Sequence, residues 1–481
     1  MVENKIAKYT GALVVLTSLF FMWGFITCMN DILIPFLRKV FELSRGQSML
    51  VQFAFFIAYF VGSVVYFLIS KYSGDPIVKI GYKKGIILGL LVSALGCGLF
   101  FPAAEIKVYG LFLVALFILG LGFTLLQIAA NPYVAILGPP DTASSRLNLS
   151  QAFNSLGTTI APIFGGYLVF NYFAKLGQPL LNKLGNPILT DTGQPISSLG
   201  VQLPYIIFAS VFILLAVIIG LTKLPKFNTD QTIEKGGGAL KHKHLVLGMV
   251  AIFMYVGSEV SVGSLFINYA HELVAFPEMK AKSFLAFYWG GAMIGRFIGA
   301  ISLSKMENKV KQALYMLGVA IAAFLVIYFA VYEESDHQIH FMDVAPFVGF
   351  IVANFLAFLL GKSSSSRTLM IFSLVIIGLL SATMLTSGLT ALWCIIGIGL
   401  FNSIMWSNIF TLAIEGLGKY TSQGSSLLVM MILGGAILPF LQGTIADAMN
   451  GYHYSFFLPI LAYLYLVYYG WKGHKIKTNT I

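Results

Sequence analysis

Long apolar stretches, each close to the length that crosses a membrane as a helix, recur along this sequence of 481 residues. A helix needs about 20 apolar residues to cross the ~30 Å hydrocarbon core of a bilayer. The pattern predicts about 14 transmembrane helices, at residues 11–37, 49–70, 85–101, 109–137, 149–173, 203–221, 245–270, 283–303, 310–331, 344–361, 369–386, 389–414, 425–448 and 454–469.

The composition agrees with this pattern and excludes a soluble protein. Hydrophobic residues make up 58% of the chain and charged residues 10%, and the mean hydropathy is +0.86. Soluble domains carry about 25% charged residues. The formal charge of +11 is not gathered on one face, so it does not indicate nucleic-acid binding. The fold class is therefore an all-α polytopic membrane protein.

The distribution of basic residues predicts the orientation of the chain. With both termini on the cytoplasmic side, 21 Lys and Arg residues lie in cytoplasmic segments, 8 lie outside and Arg296 lies within a span. Because cytoplasmic loops are enriched in basic residues, this orientation is favoured. We expect a multi-pass protein of the cell inner membrane with both termini in the cytoplasm.

A weak internal repeat predicts the domain organisation. Gly122, Asn131, Pro162 and Gly166 match Gly399, Asn408, Pro439 and Gly443 at a constant offset of 277 residues. Earlier in each half the offset is 229, so two helices are added in the second half. We predict an N-terminal six-helix bundle (1–222), a cytoplasmic linker (223–244) and a C-terminal bundle (245–481) with an inserted helix pair at about 344–386. Six-plus-six transporters hold their substrate near the middle of the membrane.

Asp31 is the most unusual residue of the first span. A carboxylate inside a spanning helix costs roughly 2.5–3.5 kcal/mol on insertion scales, so it normally faces a wet interior and has a function. Pro35, four residues on, cannot donate to the carbonyl of Asp31, which leaves a free acceptor beside the carboxylate. We predict a role in substrate binding and cation coupling, with Asn30 beside it. The alternative is that Asp31 only marks the outer end of a long helix.

Amides and aromatic rings inside the spans predict the chemistry of the substrate. Amides both donate and accept hydrogen bonds, as sugar hydroxyls require, and aromatic rings pack on the apolar faces of sugar rings. Interhelical bonding is the alternative for each amide, and packing for each aromatic residue. The candidate sugar ligands are Gln127, Asn131, Gln151, Asn154, Asn402, Trp23 and Trp406, with Tyr288 and Trp289 as further stacking candidates.

Two further charges lie within spans of the second half. Glu259 lies deep enough in its span to need a proton, a cation or a basic partner, so it is the second candidate for cation coupling. Arg296, in GGAMIGRFIGA, is assigned a gating or structural charge. Cys28, Cys97 and Cys394 have irregular spacing and predict neither a disulfide framework nor a metal site. No cofactor is expected beyond a transported Na+ or H+.

Several long motifs resemble one family when taken together in this order. They are FFMWGFITCMNDILIP, LLQIAANPYVAILG, RLNLSQAFNSLGTTIAPIFGG, YVGSEVSVGS, YWGGAMIGRFIGA and GLFNSIMWSNIF. The chain resembles the fucose:proton symporter family of the major facilitator superfamily, most closely its bacterial glucose/galactose transporter branch. The resemblance does not extend over the expected external loop (residues 174–202), the central linker (223–244) and residues 333–388.

The resemblance implies a role for several residues. The membrane carboxylate of the first span falls on Asp31, the stacking tryptophan on Trp23, and the amides of the fifth span on Gln151 and Asn154. Fucose transporters have a second carboxylate, linked to proton coupling, where this chain has Gln127. A glutamine cannot titrate, so that proton route is not implied here. Sodium coupling is associated with the glucose/galactose branch.

We therefore expect a secondary active transporter, not an enzyme, that imports a monosaccharide by cation symport with alternating access, as a functional monomer. Two other functions remain open. A drug:proton antiporter would have fewer amides in its cavity and would export its substrate. A non-transporting sugar receptor would typically carry an added signalling domain.

Overall fold

The computed structural model describes residues 2–182, 185–189, 195–225, 235–335 and 337–476. Helices make up nearly all of this described part, and the only β-bridges in it are three isolated ones in the loop that follows α7. The α-helices are α1 (Val2–Val40), α2 (Arg45–Ser73), α3 (Pro76–Ile80), α4 (Tyr82–Gly98), α5 (Phe100–Ile106), α6 (Tyr109–Ile136), α7 (Ala143–Tyr167), α8 (Leu199–Leu221), α9 (Lys243–Val274), α10 (Glu278–Ser302), α11 (Lys309–Glu334), α12 (Phe341–Gly361), α13 (Ser365–Leu385), α14 (Gly388–Asn402), α15 (Met405–Ile414), α16 (Thr421–Met430), α17 (Gly434–Ala448) and α18 (Phe457–Tyr468).

Each of the predicted apolar stretches is helical, so the prediction of an all-helical membrane protein is confirmed. By length and hydropathy, twelve helical segments of the described residues are able to cross a membrane. The two remaining helices have physical reasons to fall short. α7 carries the polar stripe of Asn148, Gln151 and Asn154, which lowers its hydropathy. α18 has only 12 residues before it continues as a π-helix.

The span predicted at residues 389–414 is broken in the middle. α14 ends at Asn402 and α15 begins at Met405, with a turn at Ser403 and Ile404. A break of this kind removes carbonyl groups from the regular helical pattern and leaves them free to accept other hydrogen bonds. Asn402 and Ser403 are polar residues within the apolar run at this position, but polar residues also occur in unbroken spans, so they do not by themselves signal the break.

The chain divides into two compact units. Unit 1 comprises Met1–Tyr133 and Leu156–Gly236, and unit 2 comprises Val134–Ser155 and Gly237–Ile481. The first half of α7 thus packs with unit 2 and its second half with unit 1. The predicted bundle of residues 1–222 differs from unit 1 in this segment, and its boundaries stay a prediction. Residues 226–234 of the predicted linker lie outside the described residues.

The packing of unit 2 indicates which of its helices have counterparts in unit 1. In unit 1, α4 packs against α8, and Gly89 of α4 lies against Leu126 of α6. In unit 2, α13 has the matching pair of neighbours, α14 and α18. α11 packs mainly against α10, and α12 contacts α10, α13 and α14. The insertion predicted at about 344–386 consists of α12 and α13, and its position stays a prediction, whereas this packing favours α11 and α12 as the helices without a counterpart.

The loop that follows α7 has an ordered core built from a short repeat. Three copies of Gly-(Gln/Asn)-Pro-(Leu/Ile) recur every eight residues from Gly177 to Ile196. The fourth residue of each copy joins a closed ring, in which Leu180 N donates to Ile196 O (2.7 Å), Ile196 N to Ile188 O (2.8 Å) and Ile188 N to Leu180 O (2.8 Å). The ring satisfies the backbone groups of the loop without a sheet.

Candidate functional site

A first polar cluster in unit 1 is made by Trp23, Tyr59 and Gln127, which come from α1, α2 and α6. A close approach of α2 to α6 sets the position of two of these residues. A Cβ atom at Gly62 would lie 3.0 Å from Thr124 Cγ2, and Thr124 Oγ1 donates to the carbonyl of Ala58 at 3.2 Å. Tyr59 of α2 and Gln127 of α6 lie next to this contact, so the glycine lets their side chains meet.

The hydroxyl of Tyr59 is the centre of this cluster. It interacts with the side chains of both Trp23 and Gln127, and all three residues are buried. The Trp23 ring also packs against Phe20 and Phe123, with ring centroids 5.4 and 6.0 Å apart. An aromatic ring held beside an amide and a hydroxyl matches the mixed surface of a sugar, which has apolar ring faces and polar edges.

Asn131 lies one helical turn beyond Gln127 and has an unusual environment. Its side chain is fully buried, and neither Nδ2 nor Oδ1 has a hydrogen-bond partner among the residues that the structure describes. An unpaired buried polar group costs about 1–3 kcal/mol. Such a group calls for a specific explanation, and a polar ligand is one that fits a transport protein.

The predicted ligands Asn30 and Asp31 belong to the helical part of α1, but their side chains lie outside the described residues. Their roles therefore stay predictions.

The predicted amides Gln151 and Asn154 lie on the first half of α7, which belongs to unit 2. On the same segment, Asn148 Nδ2 donates to the Ser144 carbonyl at 2.9 Å and to Asn408 Oδ1 at 3.3 Å. Asn148 therefore bonds to another helix. Gln151 is buried and Asn154 is half-buried. Their role as substrate ligands stays a prediction.

A second polar cluster, in unit 2, surrounds Glu259 of α9. The Glu259 carboxylate is buried and interacts with Tyr255, one turn earlier on the same helix. The hydroxyl of Tyr288 donates to the main-chain carbonyl of Glu259 at 2.9 Å. Asn402 Nδ2 donates to the Tyr288 oxygen at 3.1 Å, and Tyr463 donates to Asn402 Oδ1 at 2.6 Å. A chain of hydrogen bonds thus links α9, α10, α14 and α18.

Arg296 of α10 is placed by the break between α14 and α15. Its Nε donates to the Ser403 carbonyl at 3.2 Å, and its Nη1 donates to the Ser155 hydroxyl of α7. A Cβ atom at the preceding Gly295 would lie 2.2 Å from Ser403 Oγ, so only glycine lets α10 approach the break this closely.

The remaining predicted stacking residues have different surroundings. Trp406 is buried, lies 6.0 Å from the Phe410 ring, and has no partner for Nε1 among the described residues. Tyr288 is engaged in the chain of bonds around Glu259. Trp289 is 42% exposed and lies over Gly263. Trp406 therefore keeps a free donor, whereas Trp289 lies on an outer surface.

The predicted residues are thus divided between the two units. Trp23, Gln127 and Asn131 belong to unit 1, and the others with described side chains belong to unit 2. Sequence reasoning missed Tyr59, Tyr255 and Tyr463 as site residues. The i, i+4 spacing of Tyr255 and Glu259 on one helix was the signal that could have identified Tyr255. No group of three metal-binding side chains occurs within the described ranges.

The chain is similar to known proteins along almost its whole length. A family model described as Major Facilitator Superfamily matches residues 13–336. A protein named glucose/galactose transporter, from Brucella abortus, is 43% identical over 473 residues, covering 97% of this chain and 95% of that protein. The L-fucose-proton symporter of Escherichia coli is 32% identical over 484 residues, covering 98% and 95%. A crystal structure of the E. coli fucose:proton symporter superposes with a TM-score of 0.73 at 28% identity, covering 96% of this chain and 98% of that one.

This chain belongs to the Major Facilitator Superfamily. The predicted resemblance to the fucose:proton symporter family and its glucose/galactose branch is confirmed, as is the predicted fold. The chain is a multi-pass membrane transporter and not an enzyme.

Proposed function

We propose that this chain imports a hexose, such as glucose or galactose, by symport with Na+ or H+. The relatives named as glucose/galactose and fucose transporters support a monosaccharide as the substrate class. The observation that carries the proposal is the cluster of Trp23, Tyr59 and Gln127, with the unpartnered amide of Asn131 one turn away. A drug-binding cavity would not need buried amides with free donors and acceptors.

The amides provide the hydrogen bonds that sugar hydroxyls require. We assign hydrogen bonds with sugar hydroxyls to the amides Gln127, Asn131, Gln151 and Asn154, and packing on a face of the sugar ring to Trp23. Trp406 offers its free indole N–H to the same class of ligand. Asn402 supports Tyr288 and Tyr463 through its own bonds.

The carboxylates provide the coupling. A Na+ ion or a proton neutralises Asp31 and, second to it, Glu259, so that the loaded carrier changes conformation without burying an uncompensated charge. The expected direction is import across the cell inner membrane, with both termini in the cytoplasm, by a monomer that alternates access to its site.

The test is uptake of labelled sugar into proteoliposomes that contain the purified chain. Glucose, galactose, fucose and N-acetylglucosamine are compared under a sodium gradient alone and under a proton gradient alone. Accumulation of glucose or galactose above the external concentration under one gradient supports the proposal. Uptake that neither gradient drives contradicts cation symport, and binding of none of the four sugars contradicts the substrate class.

A further inference from the structure

The beginning of α7 is joined to α13 and α15 by a chain of hydroxyl groups. The Ser365 hydroxyl donates to Ser144 Oγ at 2.8 Å, and Ser144 Oγ lies 2.5 Å from Thr411 Oγ1. Thr411 in turn donates to the Ser407 carbonyl at 2.8 Å. A carbonyl group only accepts, so the Thr411 proton is used there and Ser144 is the donor to Thr411. Each of the three hydroxyl protons is therefore engaged in a bond.

A pair of amides runs beside this chain. Asn148, one turn after Ser144, donates to Asn408 Oδ1 at 3.3 Å, and Asn408 Nδ2 donates to the Ser365 carbonyl at 3.0 Å. Neither the amides nor the hydroxyl groups carry a charge. We name this set the neutral contact, and it consists of Ser144, Asn148, Ser365, Asn408 and Thr411.

The second half of α7 is held in a different way. It belongs to unit 1, where a Cβ atom at Gly157 would lie 2.3 Å from the Phe21 carbonyl oxygen and 2.8 Å from Phe25 N of α1. Two main chains approach each other this closely only where glycine leaves room. Separating them gives up close packing that water does not restore. The bonds of the neutral contact, in contrast, can be exchanged for bonds to water.

We propose that the neutral contact is a latch that opens and closes once in each transport cycle. α7 is one helix from Ala143 to Tyr167, yet its two halves belong to different units. When the units move, as the proposed alternating access requires, one half has to leave its neighbours. The first half leaves, because its hydrogen bonds exchange with water at little net cost, whereas the packing at Gly157 does not. The inference rests on the proposed function for this movement.

Uncharged groups suit a contact that has to open and close. Burying a charged pair has a large desolvation penalty, and separating it inside the protein leaves uncompensated charges. The ion pair of Asp141 with Lys305, just before α7, is exposed and therefore contributes little. The bond from Arg296 to Ser155 lies about three turns further along, at the division between the two halves.

The first test measures the opening without a transported sugar. The parent for all variants has alanine in place of the three native cysteines, Cys28, Cys97 and Cys394. Ser144→Cys and Thr368→Cys are made separately and treated with N-ethylmaleimide in proteoliposomes. Thr368 is a matched control, because it is fully buried one turn after Ser365 but lies against Gly361 of α12. The cysteine at position 144 should react at least roughly tenfold faster, because only this contact opens.

The second test locks the contact with a disulfide bond. The hydroxyl oxygens of Ser144 and Thr411 are 2.5 Å apart, so the sulfur atoms of Ser144→Cys/Thr411→Cys lie within reach of each other. Oxidation with copper phenanthroline should form the bond and lower sugar uptake at least roughly tenfold, because α7 is then held in one state. Dithiothreitol should restore the uptake. The oxidant should leave uptake by each single cysteine variant unchanged.

The outcomes separate this inference from the proposed function. Equal reaction rates at positions 144 and 368, or uptake by the cross-linked protein at the rate of the reduced protein, would overturn the latch. α7 would then bend at Pro162, inside the helix, and keep its first half in place. Failure to form any cross-link would overturn it as well, because the two side chains would not be neighbours. If the parent takes up none of the tested sugars, the proposed function fails, and the N-ethylmaleimide reaction alone decides the latch.

Discussion

The hydroxyl of Tyr463 donates a hydrogen bond of 2.6 Å to Oδ1 of Asn402, and both residues are fully buried. The amide of Asn402 is also bonded to Tyr288 through Nδ2. The side chain predicted to hold a sugar hydroxyl therefore has both of its polar atoms occupied by tyrosines. Its first role in this structure is to connect α18 to α10 and, through Tyr288, to Glu259.

Removal of the Tyr463 hydroxyl should weaken the protein without changing sugar affinity. Tyr463→Phe leaves the buried Oδ1 of Asn402 without this donor, which should cost about 1–3 kcal/mol of stability. Thermal unfolding in detergent measures the loss, and the half-saturating sugar concentration should stay within about twofold of the wild type. Tyr468→Phe, at a more exposed ring, is the control. A large loss of sugar affinity at unchanged stability would instead make Asn402 a sugar ligand.

A substitution of Gln127, in contrast, should lower the affinity for sugar. Gln127→Ala removes an amide that interacts with Tyr59 beside Trp23, and we expect the half-saturating sugar concentration to rise roughly tenfold, as for the loss of one hydrogen bond to a ligand. Gln312→Ala is a matched control, because this buried amide donates to the Ile301 and Ser302 carbonyls instead. It should change stability and not affinity. An unchanged affinity in Gln127→Ala would remove this residue from the sugar site.

The helix contact at Gly399 predicts a strong steric effect. A Cβ atom there would overlap the Tyr288 carbonyl oxygen at 1.9 Å, so Gly399→Ala has to push α14 away from α10. We expect a loss of at least 1–3 kcal/mol of stability and of the bond between Asn402 and Tyr288. Gly98→Ala meets no atom within 4 Å and should be close to neutral. Equal unfolding temperatures for the two variants would contradict the close contact.

The sequence predicted the residues of the first cluster more completely than those of the second, and the reason is physical. An amide or a carboxylate in a spanning helix is expensive, so Gln127, Asn131 and Glu259 stand out against an apolar background. Tyr59, Tyr255 and Tyr463 do not, because a tyrosine in a span is equally typical of packing or of the membrane interface. The tyrosines could be assigned only from their hydrogen bonds.

The fold, too, was predictable from the sequence in some features and not in others. Helices follow from the length of the apolar runs, and all of the predicted stretches are helical. The break at Ser403 and Ile404 is accompanied by tertiary contacts with Arg296 and Gly295, which the pattern of apolar and polar residues does not encode. The loop that follows α7 carries an octapeptide repeat, but the repeat alone does not specify the ring of bonds joining Leu180, Ile188 and Ile196.

The ion pair of Asp141 with Lys305 gives a dependence on pH outside the membrane. Lys305 Nζ lies 2.9 Å from Asp141 Oδ2, and this hydrogen bond holds the pKa of the carboxyl below its ordinary value of 3.8. Because the folded pKa is the lower one, the stabilising contribution is fully present above pH 3.8 and is lost as the pH falls through the folded pKa. Both side chains are exposed, so the effect should be small and should weaken with salt.

The measurement is the difference in unfolding temperature between wild type and Lys305→Gln. It should be largest near neutral pH and low salt and should vanish at the acid end. Lys309→Gln is the control, because this ammonium donates to the Gln312 amide, which does not titrate. A difference that grows as the pH falls would have the wrong sign for this pair.

Coupling of sugar to a cation through Asp31 predicts that the sugar accumulates against its own gradient. The steady-state ratio of internal to external labelled sugar is measured in proteoliposomes under an imposed sodium or proton gradient, for wild type and Asp31→Asn. The wild type should exceed a ratio of one under one gradient, and Asp31→Asn should reach only equilibrium while still exchanging sugar. Accumulation by Asp31→Asn to the wild-type level would contradict the account.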